Sequence, residues 1–232
     1  MQPMNAGMAP GGSREREWAA EIYRQLDAAY GTPDWRPYYA PVDELVLTIL
    51  SQNTNDVNSL RAFEALKAHY PTWHAVLAAP VDELTYTIRI GGLGPQKAPR
   101  IQAALSRILE ERGNFDLDFL AEWPVDQALD WLTGFNGIGP KTASIVLLFC
   151  FGKPAFPVDT HITRVTRRLG LAGTKDSPEK IQHIWEALVP GEWYYSLHLN
   201  FIRHGREVCR APKPRCAACV LSTVCRYPNK TV

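Results

Sequence analysis

Apolar residues recur every three or four positions along most of this chain, the spacing of helices with one buried face. Trp18, Ile22, Leu26 and Tyr30 open the pattern, which starts near Arg14 and stops at Gly31. Residues 31–41 hold Pro33, Pro37 and Pro41 and read as a linker. Val42 to Ser51 is a mostly apolar helix, and its successor begins near Asn55 and runs to Tyr70, before Pro71. Trp73–Ala79 and Val81–Ile88 read as short helices bounded by Pro71 and Pro80, and Pro95–Arg112 as a long amphipathic one ending at Gly113. Further helices are expected over Val125–Leu132, Thr142–Phe151, Thr160–Leu169, Ser177–Val189 and Glu192–Glu207. No stretch reads convincingly as a strand, so the expected class is all-α. Residues 1–14, with Gly, Pro and Arg but no apolar run, are expected to be a disordered tail.

The stretch from Gly134 to His161 interrupts this regular pattern. Gly137 and Gly139 flank one apolar residue, Ile138, which suits a tight turn with positive φ and a close approach from outside. Pro140 suits the first turn of the helix that follows. Backbone N–H groups left free at such a helix start form an anion site. Lys141 stands on that first turn and has two readings: a phosphate contact, or an amine that loses its proton and acts as a nucleophile. Asp159 likewise reads as a helix N-cap or as an acid–base group. His161 and Arg164 follow near the same helix start, where His161 either approaches phosphate or packs.

An internal echo precedes this stretch. Gly92-Leu93-Gly94-Pro95-Gln96-Lys97-Ala98 and Gly137-Ile138-Gly139-Pro140-Lys141-Thr142-Ala143 share the pattern G-x-G-P-x-x-A. With Gln96 where the second has Lys141, only the second hairpin carries the amine. Leu93 is either a packing residue or an apolar wedge that enters a base step of a duplex. Ser51 to Asp56 is a cluster of small polar residues between two apolar helices and reads as a loop.

The formal net charge of the 232 residues is only +1, but its distribution is lopsided. Residues 1–140 carry 11 Lys and Arg against 18 Asp and Glu, and residues 141–232 carry 14 against 6. A basic C-terminal part suits a polyanionic partner. No window has the apolar length of a membrane span. A cytoplasmic location is expected, nucleoid-associated if the source is bacterial, and hence reduced cysteines.

Cys209, Cys216, Cys219 and Cys225 follow the spacing C-x6-C-x2-C-x5-C. Four thiols so close, in a loop with two prolines, point to one metal centre, either zinc or an iron–sulfur cubane. Zinc ribbons usually pair two short C-x2–4-C knuckles, and only one is present. Cys150 lies in an apolar helix and reads as core. Arg203, Arg206, Arg210, Lys213 and Arg215 surround the first two cysteines and would present cations to phosphate.

Taken together, G-I-G-P-K-T-A followed by V-D-T-H resembles the endonuclease III family of helix-hairpin-helix DNA glycosylases. The hairpin pattern there is L-P-G-V-G-x-K-T-A, and the cysteine spacing is the same as that family's cluster motif. The resemblance covers roughly residues 16–228. It implies a [4Fe–4S] cluster on Cys209, Cys216, Cys219 and Cys225, a nucleophilic Lys141 and an assisting Asp159. Segments similar to L-S-x-Q-T-x-D and I-G-L-x-x-x-K-A place Asn53 and Leu93 as the side chains entering the duplex. Gly137, Gly139 and His161 fall on the DNA side. The implied architecture is a helical barrel domain with the helix-hairpin-helix over residues 36–148. A cluster domain would form from residues 15–35 and 149–232, with a substrate groove between the two and Lys141 and Asp159 at its mouth. The implied partner is double-stranded DNA with a damaged base or an abasic site, bound by a monomer. The implied reaction is base excision followed by β-elimination, with oxidised pyrimidines as the expected substrate. A glycosylase for mismatched or oxidised purines, or a non-catalytic DNA-binding scaffold, are the alternatives. Two departures bear on substrate range: Phe135-Asn136 in place of Leu-Pro, and Asn53 in place of Gln.

Overall fold

The computed structural model describes residues 12–230, all helix, turn and loop with no strand among them. The expected tail falls mostly on residues 1–11, outside the described residues. Its last residues do not belong to a tail: helix α1 already begins at Ser13 and runs to Tyr30, with the Glu15 carboxylate accepting from the Gly12 N–H. The chain divides into two compact units, Arg36–Lys153 and a split unit made of the residues up to Trp35 and from Pro154 on.

The 36–153 unit contains α2 (Pro41–Ser51), α3 (Asp56–His69), α4 (Trp73–Ala78), α5 (Val81–Thr87), α6 (Gly94–Arg112), α7 (Val125–Thr133) and α8 (Pro140–Phe151). Prolines open α2 and α8 at the first helical position, where no N–H is missed. Asn55 caps α3 by accepting from the Asn58 N–H at 2.9 Å, and Thr72 caps α4 from Ala75 at 3.2 Å. Helix α2 buries Val42, Leu45, Val46, Ile49 and Leu50, while α8 buries Ala143, Val146, Leu147 and Leu148. Burying the Val, Leu and Ile side chains among these stabilises the core by roughly 1.5–3 kcal/mol each. Cys150 joins this core, and burial raises its thiol pKa.

The split unit contains α1, α9 (Thr160–Leu169), α10 (Pro178–Leu188) and α11 (Tyr194–Glu207), followed by the cysteine-bearing loop. A 3-10 turn, Gly191–Trp193, precedes α11, so the expected single helix from Glu192 is two elements. The centre of this unit is aromatic. Trp185 is fully buried, donates its indole N–H to Thr166 Oγ1 at 2.9 Å, and meets Phe201 edge-on with centroids 4.9 Å apart. On α1, the Tyr23 ring stacks on Trp193 at 4.2 Å.

Candidate active site and cysteine loop

The second hairpin joins α7 to α8. Gly137 has φ 81°, a left-handed conformation that a side chain resists. A Cβ there would also lie 2.9 Å from Arg100 Cδ, so the dihedral calls for glycine and any side chain would displace the arginine. Gly139 is different: it is the N-cap of α8, its φ is −95°, and no atom lies within 4 Å of where a Cβ would stand. Only one of the two glycines therefore takes the positive φ that the motif suggests, and the other leaves the helix start open. Pro140 and Lys141 follow as the first two helical residues. The N–H groups of a helix's first turn have no carbonyl partner within the helix. Lys141 is exposed, while Thr142 and Ala143 behind it are buried. The apolar core of the helix thus lies behind the amine and not around its tip. The arrangement places an amine on the same turn as N–H groups that lack a carbonyl partner within the helix, a site for an anion.

The two halves of the internal echo are not conformationally equivalent. In the first, the N-cap of α6 is Leu93, at φ 54° and ψ 30°, and its side chain is 41% exposed. In the second, the N-cap is Gly139, and Ile138, the sequence counterpart of Leu93, is buried. The helix start is displaced by one residue between them, and Leu93 is exposed where Ile138 is buried. Asn53, in the turn after α2, is also exposed and also has φ 54°. Among the described residues, Asn53 and Leu93 are the only non-glycines with positive φ.

In the split unit, Asp159 is the N-cap of α9. Its Oδ1 accepts from the Ile162 N–H at 2.7 Å. No hydrogen bond from the chain reaches Oδ2 among the described residues, so the same carboxylate that caps the helix keeps one oxygen for other chemistry. The segment leading to it is pinned from both sides: Phe156 N–H donates to Glu186 Oε1 at 3.0 Å, and the Pro157 carbonyl is 2.9 Å from His198 Nδ1. His161, two residues on, is half-buried. Arg164 Nη2 lies 3.1 Å from His161 Nδ1 and donates to the Gly205 carbonyl at 2.9 Å. A Cβ on Gly205 would come within 2.9 Å of the His161 ring, so α11 leaves room for this imidazole only through its glycine.

Helix α9 also holds the cysteine loop. Arg164 Nε donates to the Cys209 carbonyl at 2.9 Å. Arg168 donates to the carbonyls of Arg210 and Ala211 at 2.7 and 2.9 Å, and its Nη1 lies 3.4 Å from Cys209 Sγ. Cys225 Sγ lies 3.5 Å from the Arg168 carbonyl, and Cys219 Sγ 3.6 Å from Nε2 of His204. Burial lowers the His204 pKa to about 4, while Tyr30 Oη sits 2.9 Å from its Nδ1. All four loop cysteines are free thiols, half-buried. Burial, with added charge from Cys209, Cys225 and Cys216, raises the Cys219 thiol to about 11. The other three loop cysteines thus bear electrostatically on Cys219, and a cationic centre beside that sulfur would be favoured. Among the described residues, no three His, Cys, Asp or Glu side chains converge as they would on a single ion. Four soft sulfur donors on one loop, with an arginine beside one of them, are of the chemical type that the cluster implied by the sequence requires.

Several contributors are not prominent in the sequence. Lys97 is 1% exposed, and its ammonium donates to the carbonyls of Leu50 and Gly91 at 2.7 and 2.8 Å. Burial lowers its pKa. The available signals are its place as the K of the I-G-L-x-x-x-K-A segment and its position on the same stripe of α6 as Ile101, Ala104, Leu105 and Ile108, where an apolar residue would be expected. Gln52 and Arg100 are bonded to each other, and Gln52 also to the hairpin. Arg168 carries no sequence mark beyond its charge.

Residues 46–190 match the HhH-GPD superfamily of base excision DNA repair proteins. The chain is 37% identical to an endonuclease III of Sulfolobus acidocaldarius over 185 residues, 79% of this chain and 80% of that one. It is 39% identical to a putative DNA glycosylase of Arabidopsis thaliana over 71% of its own length, and spans 56% of that longer protein. A solved endonuclease III, trapped as a covalent intermediate on DNA, superimposes with a TM-score of 0.79 at 29% identity, over 91% of this chain and 95% of that one. No helix among the described residues is long and apolar enough to cross a membrane. The fold, the hairpin and these matches agree: the chain belongs to the endonuclease III family of HhH-GPD base excision DNA glycosylases.

Proposed function

We propose that this protein removes oxidised pyrimidines from duplex DNA and then cuts the abasic strand, with Lys141 as nucleophile and Asp159 as its acid–base partner. The observation that carries the reading is the exposed amine of Lys141 on the first turn of α8, beside the N–H groups of the hairpin. Those groups and Gly139 would hold a phosphate flanking the target nucleotide. The target base must leave the stack for its sugar to be reached. Lys141 as the free amine then attacks C1′, and the base departs with the bonding electrons and takes up a proton. The Oδ2 of Asp159 accepts the proton that the attacking nitrogen sheds and steadies positive charge on the sugar. Opening of the ring leaves a Schiff base between Lys141 and the sugar. Loss of a proton from C2′ then expels the 3′ phosphate, and water releases the enzyme.

The test is borohydride trapping on duplexes carrying dihydrouracil, thymine glycol, 8-oxoguanine or an abasic site. Adducts are expected with the abasic site and both pyrimidine lesions. An adduct confined to 8-oxoguanine would make the substrate an oxidised purine, and no adduct with any of them would remove the lyase step.

Cys209, Cys216, Cys219 and Cys225 are proposed to hold a [4Fe–4S] cluster. It would neutralise the thiolates and order the loop bearing Arg210, Lys213 and Arg215 towards phosphate. Purified protein is expected to contain about four iron and four sulfide per chain. About one zinc per chain, in anaerobically prepared protein, would replace the cluster with a tetrahedral zinc site.

A further inference from the structure

Three polar side chains of the 36–153 unit join its exposed loops, and the chemistry above gives them no part. Lys97 draws in two carbonyls, those of Leu50 and Gly91. Leu50 is three residues before Asn53, and Gly91 is two before Leu93. One turn further along α6, Arg100 Nη1 donates to Gln52 Oε1 at 3.2 Å, and Gln52 Nε2 donates to the Gly137 carbonyl at 2.9 Å. The stem of Arg100 lies against Gly137, where a Cβ would strike its Cδ. One helix thus grips the turn of Asn53, the turn of Leu93 and the hairpin leading to Lys141.

The gripped turns are the strained ones. Asn tolerates the left-handed region, but a leucine there is held against steric resistance. Such strain persists where the surrounding structure over-determines it. A buried ammonium is itself costly unless its hydrogen bonds are met, and an apolar side chain would fill the same stripe without that cost. The particular service of Lys97 is to tie two carbonyls from separate segments to one point.

We propose that Lys97, Arg100 and Gln52 are positioning residues, a brace that holds Asn53, Leu93 and the hairpin at one fixed separation. This rests on the base-excision reading. With the separation fixed, Asn53 and Leu93 meet the same gap in the base stack while the hairpin holds the adjoining phosphate. The brace matters where there is a stack to open and not in the bond-making steps at Lys141.

The experiment compares Gln52→Met, Arg100→Met and Lys97→Met with wild type under single-turnover conditions. One substrate is a lesion duplex, and the other a single strand with an abasic site. Duplex turnover is expected to fall roughly tenfold in Gln52→Met and further in Lys97→Met, while single-strand cleavage stays within about twofold. A 2-aminopurine placed opposite an abasic-site analogue should brighten less on binding the variants. In an Asn53→Ala background, Gln52→Met should lose most of its further effect, because it acts through that residue. Equal losses on both substrates, an unchanged duplex rate in Gln52→Met, or full additivity with Asn53→Ala would each overturn the brace. If Lys97→Met does not fold, the half-buried Gln52 and Arg100 decide the matter. No cleavage of either substrate by wild type would remove the repair reading, and the brace with it.

Discussion

Lys141→Ala is expected to abolish the borohydride-trapped adduct and to slow base release by on the order of 10³-fold, because the step then lacks its nucleophile. The substitution is structurally mild. Lys141 is exposed on the first turn of α8, and the core of that helix begins at Thr142. Alanine is the best helix former and no packing is lost, so thermal stability and binding to an abasic duplex should stay near wild type. Lys141→Arg separates the two readings of the residue. Arginine keeps a cation beside the hairpin N–H groups but does not lose its proton. A nucleophilic Lys141 predicts that Lys141→Arg is as inactive as Lys141→Ala, although it binds DNA better. A phosphate-binding Lys141 predicts that the arginine variant works. An adduct of undiminished yield in Lys141→Ala would place the nucleophile on another residue.

The helices and the second hairpin were legible because the signals are local. Glycine and proline mark the helix ends within a residue or two, and the 3.6-residue period exposes the buried faces. The all-α class follows from that periodicity alone. The echo between Gly92–Ala98 and Gly137–Ala143 was legible as a pattern but misleading as geometry. Whether Leu93 or Gly139 caps its helix is set by how each turn leaves the preceding element: a 3-10 turn over Arg89–Gly91 in one case, α7 in the other. The brace was not legible because its bonds join distant segments: Lys97 to Leu50 across 47 positions, Gln52 to Gly137 across 85. No local propensity records such a partner. The exposure of Lys141 is not legible from the apolar helix that follows it, because a first-turn side chain projects away from the core its own helix enters. The two roles of Asp159 looked like alternatives in the sequence, and the structure shows the cap occupying Oδ1 alone.

That division of the Asp159 carboxylate gives the second large effect, and a way to read it without confusing catalysis with folding. Asparagine caps helices as well as aspartate does, through the same side-chain oxygen. Asp159→Asn should therefore retain the bond to the Ile162 N–H and melt within a few tenths of a kcal/mol of wild type. It loses the charge and the proton-accepting oxygen. Base release should fall on the order of 10²-fold or more, the usual loss for a missing general base. Asp159→Ala removes the cap as well and should cost about 1 kcal/mol of stability, with a similar catalytic loss. The pattern across the pair is the diagnostic: one variant stable and inactive, the other less stable and equally inactive. Borohydride trapping at a preformed abasic site should suffer less than base release, since no glycosidic bond remains to be broken. Base release by Asp159→Asn at the wild-type rate would leave Asp159 a helix cap and nothing more.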